Sequence, residues 1–95
     1  SLEQEEREQV LTQLARIKVM NLLAQKKEVT LDDKEKERAA AAGREYFTSL
    51  NSAEVTALNV TQDLITKMYE EYALAEKVYQ TIVENVNPEV RAPSR

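Results

Sequence analysis

The chain has 95 residues, no cysteine and no histidine, and its 13 basic and 17 acidic residues leave a net charge of −4. This composition excludes disulfides and thiolate metal sites, and it removes the commonest general base and metal ligand. The acidic balance argues against a nucleic-acid partner, which requires a basic face. One glycine and two prolines are too few for a β-rich fold, whereas the abundant Ala, Leu, Glu, Lys, Gln and Arg favour helices.

The first helix is predicted over residues 2–28, which contain neither glycine nor proline. Val10, Leu14 and Ile17 are spaced by four and three residues, as on one face of a helix. The opening turns, EQEEREQ, are almost wholly polar, and their acidic residues suit the positive end of the helix dipole.

A second helix is predicted at about 32–50, after the break at EVTLDD. Thr30 is a candidate N-cap, with Asp33 three residues on as an acidic variant of the capping box. The small residues from Ala39 to Gly43 form a thin waist where another helix could approach closely. Bulky apolar residues follow at the end of this helix.

A short third helix is predicted at about 53–58, capped by Asn51 together with Glu54 or by Ser52 alone. Its buried residues are expected to be Val55 and Leu58.

The last helix is predicted to begin after an N-cap at Thr61, with Val60 packing on Ile65 as a hydrophobic staple, and to run to about Val86. Its apolar stripe advances in alternating steps of three and four: Ile65, Met68, Tyr72, Ala75, Tyr79, Ile82 and Val86. We interpret it as an internal helix packed on the first two, and a coiled-coil seam is the alternative. Asn87-Pro88 should end it, which gives a helical domain over 1–87 and a linker or tail over 88–95.

The predicted fold is therefore all-α, a small helical bundle of three main helices plus one short helix, with a long C-terminal helix. No phosphate-binding, dinucleotide-binding or calcium-loop motif is present. The acidic candidates for proton transfer, Asp32, Asp33, Glu70 and Glu71, lie in charged runs typical of a solvated helix surface. We expect no catalytic residues, no cofactor and no metal site. No apolar run approaches the length that spans a bilayer.

With catalysis, cofactors and metals set aside, the remaining function is binding through an apolar surface. A long apolar helix face must either be covered by the chain or be offered to a partner. The bulky, adaptable side chains are the candidate peptide-binding residues: Tyr46, Phe47, Leu50, Met68, Tyr69 and Tyr72. The alternative is that they form the core. Tyr69 lies beside the main stripe and is expected to be the half-exposed one.

The stretch VLTQLARIKVMNLLAQKKEVTLDDKEKERAAAAGREYF resembles the helical chaperone region of secreted foldases of the SurA/PrsA kind, which are parvulin-type peptidyl-prolyl isomerases and their relatives. The residues that fit the pattern are Leu14, Ile17, Leu22, Leu23, Ala24, Lys26, Lys27, Val29, Thr30, Asp32, Asp33 and Glu35. The later stretch YALAEKVYQTIVENVNPEV also looks like these proteins, so the resemblance covers about residues 8–90. Glu28 departs from it, because such proteins often place a glycine there.

The resemblance implies a non-catalytic, chaperone-like domain of an extracytoplasmic foldase of the cell envelope, such as a lipoprotein, cut from a longer chain. Its partners would be unfolded or nascent secreted polypeptides. The catalytic residues of a parvulin have no counterparts to carry over to this chain. The alternative function is a structural helical module that forms a homodimer or binds one fixed partner.

Overall fold

The computed structural model describes residues 1–86, which form four helices. These are α1 (Leu2–Lys27), α2 (Asp33–Ser49), α3 (Ser52–Leu58) and α4 (Gln62–Val86). No strand occurs among the described residues. The predicted all-α class, with three main helices, one short helix and a long C-terminal helix, is confirmed. The predicted stop at Asn87-Pro88 and the tail at 88–95 lie outside the described residues.

The chain divides into two compact units. Of the described residues, unit 1 contains Ser1–Thr30 and 74–86, and therefore α1 and the second half of α4. Unit 2 contains Leu31–Ala73, and therefore α2, α3 and the first half of α4.

The N-cap of α2 differs from the predicted one, although the helix begins within a residue of the predicted start. Its N-cap is Asp32, whose Oδ1 accepts the Glu35 N–H at 2.8 Å, while Glu35 Oε1 accepts the Asp32 N–H at 2.8 Å. The predicted cap at Thr30, with Asp33, was wrong. The reciprocal bond needs a side chain that reaches back to the cap, and glutamate is one methylene longer than aspartate.

The caps of α3 and α4 are as predicted. Asn51 and Glu54 form a reciprocal capping box at 2.8 and 2.9 Å, and the Leu64 N–H donates to Thr61 Oγ1 at 3.1 Å. The predicted burial of Val55 and Leu58 was wrong, because Val55 is only half-buried and Leu58 is 54% exposed. Leu58 is the last residue of α3, and the chain turns directly after it where Asn59 adopts a left-handed conformation.

Unit 1 is held together around the end of α1. Its buried residues are Ala24 of α1 and Ala75 and Val78 of α4. Glu28 ends α1 in the left-handed conformation (φ 59°), and the Val29 N–H donates to the Ala24 carbonyl at 2.9 Å. This arrangement satisfies a carbonyl that the last turn leaves without a helical partner. Lys77 Nζ of α4 then donates to the Thr30 carbonyl at 2.8 Å.

Unit 2 is built on a close approach of two helices. Its buried residues are Ala39 and Gly43 of α2 and Ile65 of α4. A Cβ on Gly43 would lie 2.9 Å from the Thr66 Cα, which is closer than real Cβ contacts come. The predicted close-packing role of the small-residue waist is therefore confirmed at Gly43.

The long stripe predicted along α4 is not its buried face. Ile65 and Ala75 are buried and Ile82 is half-buried, but the four remaining stripe residues are exposed: Met68, Tyr72, Tyr79 and Val86. The buried positions of both units are mostly Ala or Gly, because small residues let helix backbones approach closely. The large side chains of the stripe are therefore left outside.

Candidate peptide-binding surface

All six predicted peptide-binding residues lie in unit 2, three at the end of α2 and three on α4. On the α2 side, Tyr46 is exposed and Phe47 and Leu50 are half-buried. On α4, Met68 and Tyr72 are 52% and 54% exposed. The alternative that each of these residues belongs to the core is therefore wrong for Tyr46, Met68 and Tyr72.

Phe47 and Leu50 meet in a shallow concavity of about 420 Å³ where α2 passes into α3. The turn exists because Leu50 is extended (φ −86°, ψ 143°) and donates its N–H to the Phe47 carbonyl at 3.1 Å. Val55 of α3 supplies further apolar lining, and the remaining lining residues are polar: Thr48, Asn51, Ser52 and Thr56. Tyr46 is not among the residues that line this concavity.

Leu64, Met68 and Tyr72 form a second feature, which we call the α4 row. They are spaced four residues apart, so they follow one another along one side of α4 at intervals of about 6 Å. Their exposed fractions are 45%, 52% and 54%. The row thus presents three large apolar side chains, each about half uncovered, over about 12 Å of helix.

Leu64 is a residue of the α4 row that is not among the six predicted candidates. Its spacing of four and eight residues from Met68 and Tyr72 was the signal that could have found it. Val55 was predicted as a core residue of α3 and not as part of a site. No pattern in the sequence indicates that the α2–α3 turn makes it line a concavity.

Tyr69 was predicted to be the half-exposed candidate, but at 36% its side chain is less exposed than those of Met68 and Tyr72. Within unit 2, the buried face of α4 passes through Ile65 and the half-buried Thr66. Tyr69 lies four and three residues after these two, which places it at the edge of the core. Met68 and Tyr72 lie on either side of it in sequence and are turned further toward solvent.

The concavity and the α4 row are distinct features of unit 2. None of the row residues lines the concavity. The structure therefore brings together Phe47 with Leu50, and Met68 with Tyr72, but it does not join the six predicted residues into one enclosed pocket.

Unit 1 also exposes apolar side chains. Their spacing predicted a helix, but they were not predicted to form a binding surface. Val10, Leu11 and Leu14 are exposed on α1, as are all other residues of this helix up to Arg16. Their spacing continues that of the half-buried Ile17. The N-terminal half of α1 therefore offers apolar surface that none of residues 1–86 covers.

The acidic candidates differ in their surroundings. Asp32 is engaged in the capping box, Asp33 is exposed, and Glu70 and Glu71 are half-buried. Over residues 1–86 no three acidic side chains converge as metal ligands would. None of the helices described is both long enough and apolar enough to cross a lipid bilayer.

Comparison of the chain with protein-family models, with curated proteins and with solved structures finds no match.

Proposed function

We propose that the chain is a non-catalytic, peptide-binding domain with a chaperone-like role, which holds unfolded polypeptide through exposed apolar surface of unit 2. The observation that carries this proposal is the α4 row, in which Leu64, Met68 and Tyr72 stand half uncovered at helical spacing. A soluble domain usually covers large side chains on a helix face, and an uncovered row of them marks an interaction surface.

The side chains of the row suit a surface that accepts many sequences. Methionine is unbranched and polarisable, so it adapts to differently shaped partners. Tyrosine combines a large apolar ring with a hydroxyl that can remain in water. Burial of about 200 Å² of this surface would contribute about 5 kcal/mol, which the entropic cost of association largely offsets. We therefore expect weak, reversible binding of individual segments.

The resemblance to SurA/PrsA-type foldases supports a more specific form of the proposal. The domain would belong to an extracytoplasmic peptidyl-prolyl isomerase or foldase of the cell envelope, and its partners would be unfolded or nascent secreted polypeptides. The absence of histidine and cysteine from the chain leaves it without the residues that a parvulin site would require. In this proposal the chain holds its client and does not isomerise it.

The test is a light-scattering assay of an unfolded client with the domain in several-fold excess. The wild-type domain should slow aggregation, and the double variant Met68→Ala/Tyr72→Ala should lose at least half of that effect. Val19→Ala and Leu58→Ala are matched controls, because these residues are 56% and 54% exposed but lie outside the α4 row. Both controls should retain the wild-type effect.

Two outcomes would count against the proposal. One is no effect of the wild-type domain on aggregation while circular dichroism shows intact helices. The other is a tight dimer whose dissociation melts the helices, measured by analytical ultracentrifugation and circular dichroism. That second result would favour the alternative, a structural module that pairs with its own copy.

A further inference from the structure

The two units differ in charge. Unit 2, residues 31–73, carries nine carboxylates and five basic side chains, a net charge of −4. Residues 1–30 of unit 1 carry five of each and are neutral, and residues 74–86 carry two carboxylates and one lysine. The net negative charge of the chain is therefore concentrated in the unit that contains the α4 row.

Acidic side chains also flank the exposed apolar residues themselves. Each row residue directly follows a charged one: Asp63 precedes Leu64, Lys67 precedes Met68 and Glu71 precedes Tyr72. In the part of α4 that belongs to unit 2, three acidic residues accompany a single basic one, Lys67. A segment lying along the row would therefore lie on a stretch of helix with a net charge of −2, from three carboxylates and one lysine.

We propose that the α4 row selects cationic client segments, in which aliphatic or aromatic side chains are flanked by lysine or arginine. This inference rests on the proposed function and names the class of polypeptide that it serves. Charges closer than one Debye length, about 8 Å at physiological ionic strength, act on a bound segment with only partial screening. Opposite charges then speed encounter and discriminate against segments of the wrong sign.

The same charge disfavours the other occupants of this surface. A second copy would bring two units of net charge −4 together and would place like charges beside each other. An acidic polypeptide or an anionic lipid surface would be repelled for the same reason. A cationic apolar segment complements this surface in two ways. Its apolar side chains can cover the row, and its positive charges are attracted to the carboxylates of unit 2.

The test compares three labelled, unstructured peptides that share one apolar sequence and differ in their flanking residues, which are lysine, glutamine or glutamate. Binding to the whole chain is measured by fluorescence anisotropy at ~20 mM and ~0.5 M salt, between which screening rises steeply. At low salt the lysine peptide should bind at least about fivefold more tightly than the glutamate peptide, with glutamine between them. At high salt the difference should fall below about twofold.

Equal binding of all three peptides at low salt would overturn the inference and leave the proposed function standing. Tighter binding of the glutamate peptide would overturn it as well. No binding of any peptide, together with no effect on client aggregation, would overturn both.

A pair of double variants separates a local effect from a general one. Asp63→Asn/Glu70→Gln removes two carboxylates from the unit 2 part of α4, and Glu5→Gln/Glu8→Gln removes two exposed carboxylates from α1 in unit 1. Both change the net charge of the chain equally. The unit 2 pair should lower the lysine-over-glutamate preference by about half or more, and the unit 1 pair should leave it unchanged. An equal reduction by both pairs would contradict the assignment to the α4 row.

Discussion

Gly43 of α2 lies against Thr66 of α4 so closely that a Cβ on the glycine would be 2.5 Å from the threonine Oγ1 and 2.9 Å from its Cα. Two effects of Gly43→Ala oppose each other. Alanine would gain about 1 kcal/mol of helix propensity, whereas forcing the two backbones apart costs about 1–3 kcal/mol. Because a backbone atom is in the way, the packing cost should win.

We therefore expect Gly43→Ala to lower the free energy of unfolding by about 1 kcal/mol, measured by urea denaturation followed by circular dichroism. Ala41→Gly, at an exposed position of the same helix, is the control for propensity alone. The addition of Thr66→Ala removes the nearer of the two clashing atoms and should restore part of the loss. A gain in stability from Gly43→Ala alone would contradict the close approach.

Glu28 ends α1 with a φ of 59°, a conformation that costs a residue with a Cβ about 1–2 kcal/mol and costs glycine almost nothing. Glu28→Gly should therefore raise the free energy of unfolding by about 1 kcal/mol. Glu28→Ala removes the same charge but retains the Cβ, so it should give no gain. Equal effects of the two variants in thermal unfolding would show that charge, and not backbone conformation, governs this position.

The capping box of α2 predicts different losses of stability for alanine substitutions at Asp32 and at Thr30. Asp32→Ala removes the acceptor for the Glu35 N–H and should cost about 1 kcal/mol of stability. Thr30→Ala should cost less, because only the backbone carbonyl of Thr30 accepts a described hydrogen bond, from Lys77. Urea denaturation of both variants checks the order, and the reverse order would place the cap where the sequence pattern first indicated it.

A substitution at Lys77 tests the contact between α4 and the end of α1 within unit 1. Its Nζ donates to the Thr30 carbonyl at 2.8 Å, and Lys77→Met would keep the apolar stem while removing the donor. We expect a loss of about 0.5–1.5 kcal/mol in the free energy of unfolding. Lys67→Met, at an exposed position of α4, is the control and should change stability by less than about 0.5 kcal/mol. Equal effects would mean that the Lys77 contact contributes nothing.

Most of the helical architecture could be predicted from local signals. The caps at Asn51 and Thr61 depend only on residues three positions apart, and the predicted bounds of α1 agree with the observed ones to within one residue. The N-cap of α2 was misplaced, although its bounds were predicted to within about a residue, because two overlapping patterns beginning at Thr30 and at Asp32 compete within one stretch.

The candidate site was harder to predict, since exposure depends on which neighbour covers each face. The stripe through Met68 and Tyr72 has the spacing of a buried face, and only the close approach at Gly43 shows that α2 packs elsewhere on α4. Periodicity indicates that a face exists. It does not indicate whether small residues elsewhere on the helix will attract the neighbouring helix instead.

Unit 1 is discontinuous in the chain, and this has a consequence for the order of events on the ribosome. Lys77 follows Thr30 by 47 positions, so at about 5–20 residues per second the polypeptide needs roughly 2–9 s to supply the partner of that carbonyl. The residues of unit 2 emerge entirely within this interval and can assemble first from contacts nearer in sequence. Until the chain from position 74 has been synthesised, the end of α1 lacks the α4 residues that pack against it in unit 1. We therefore expect misassembly to be most frequent when translation pauses before position 74.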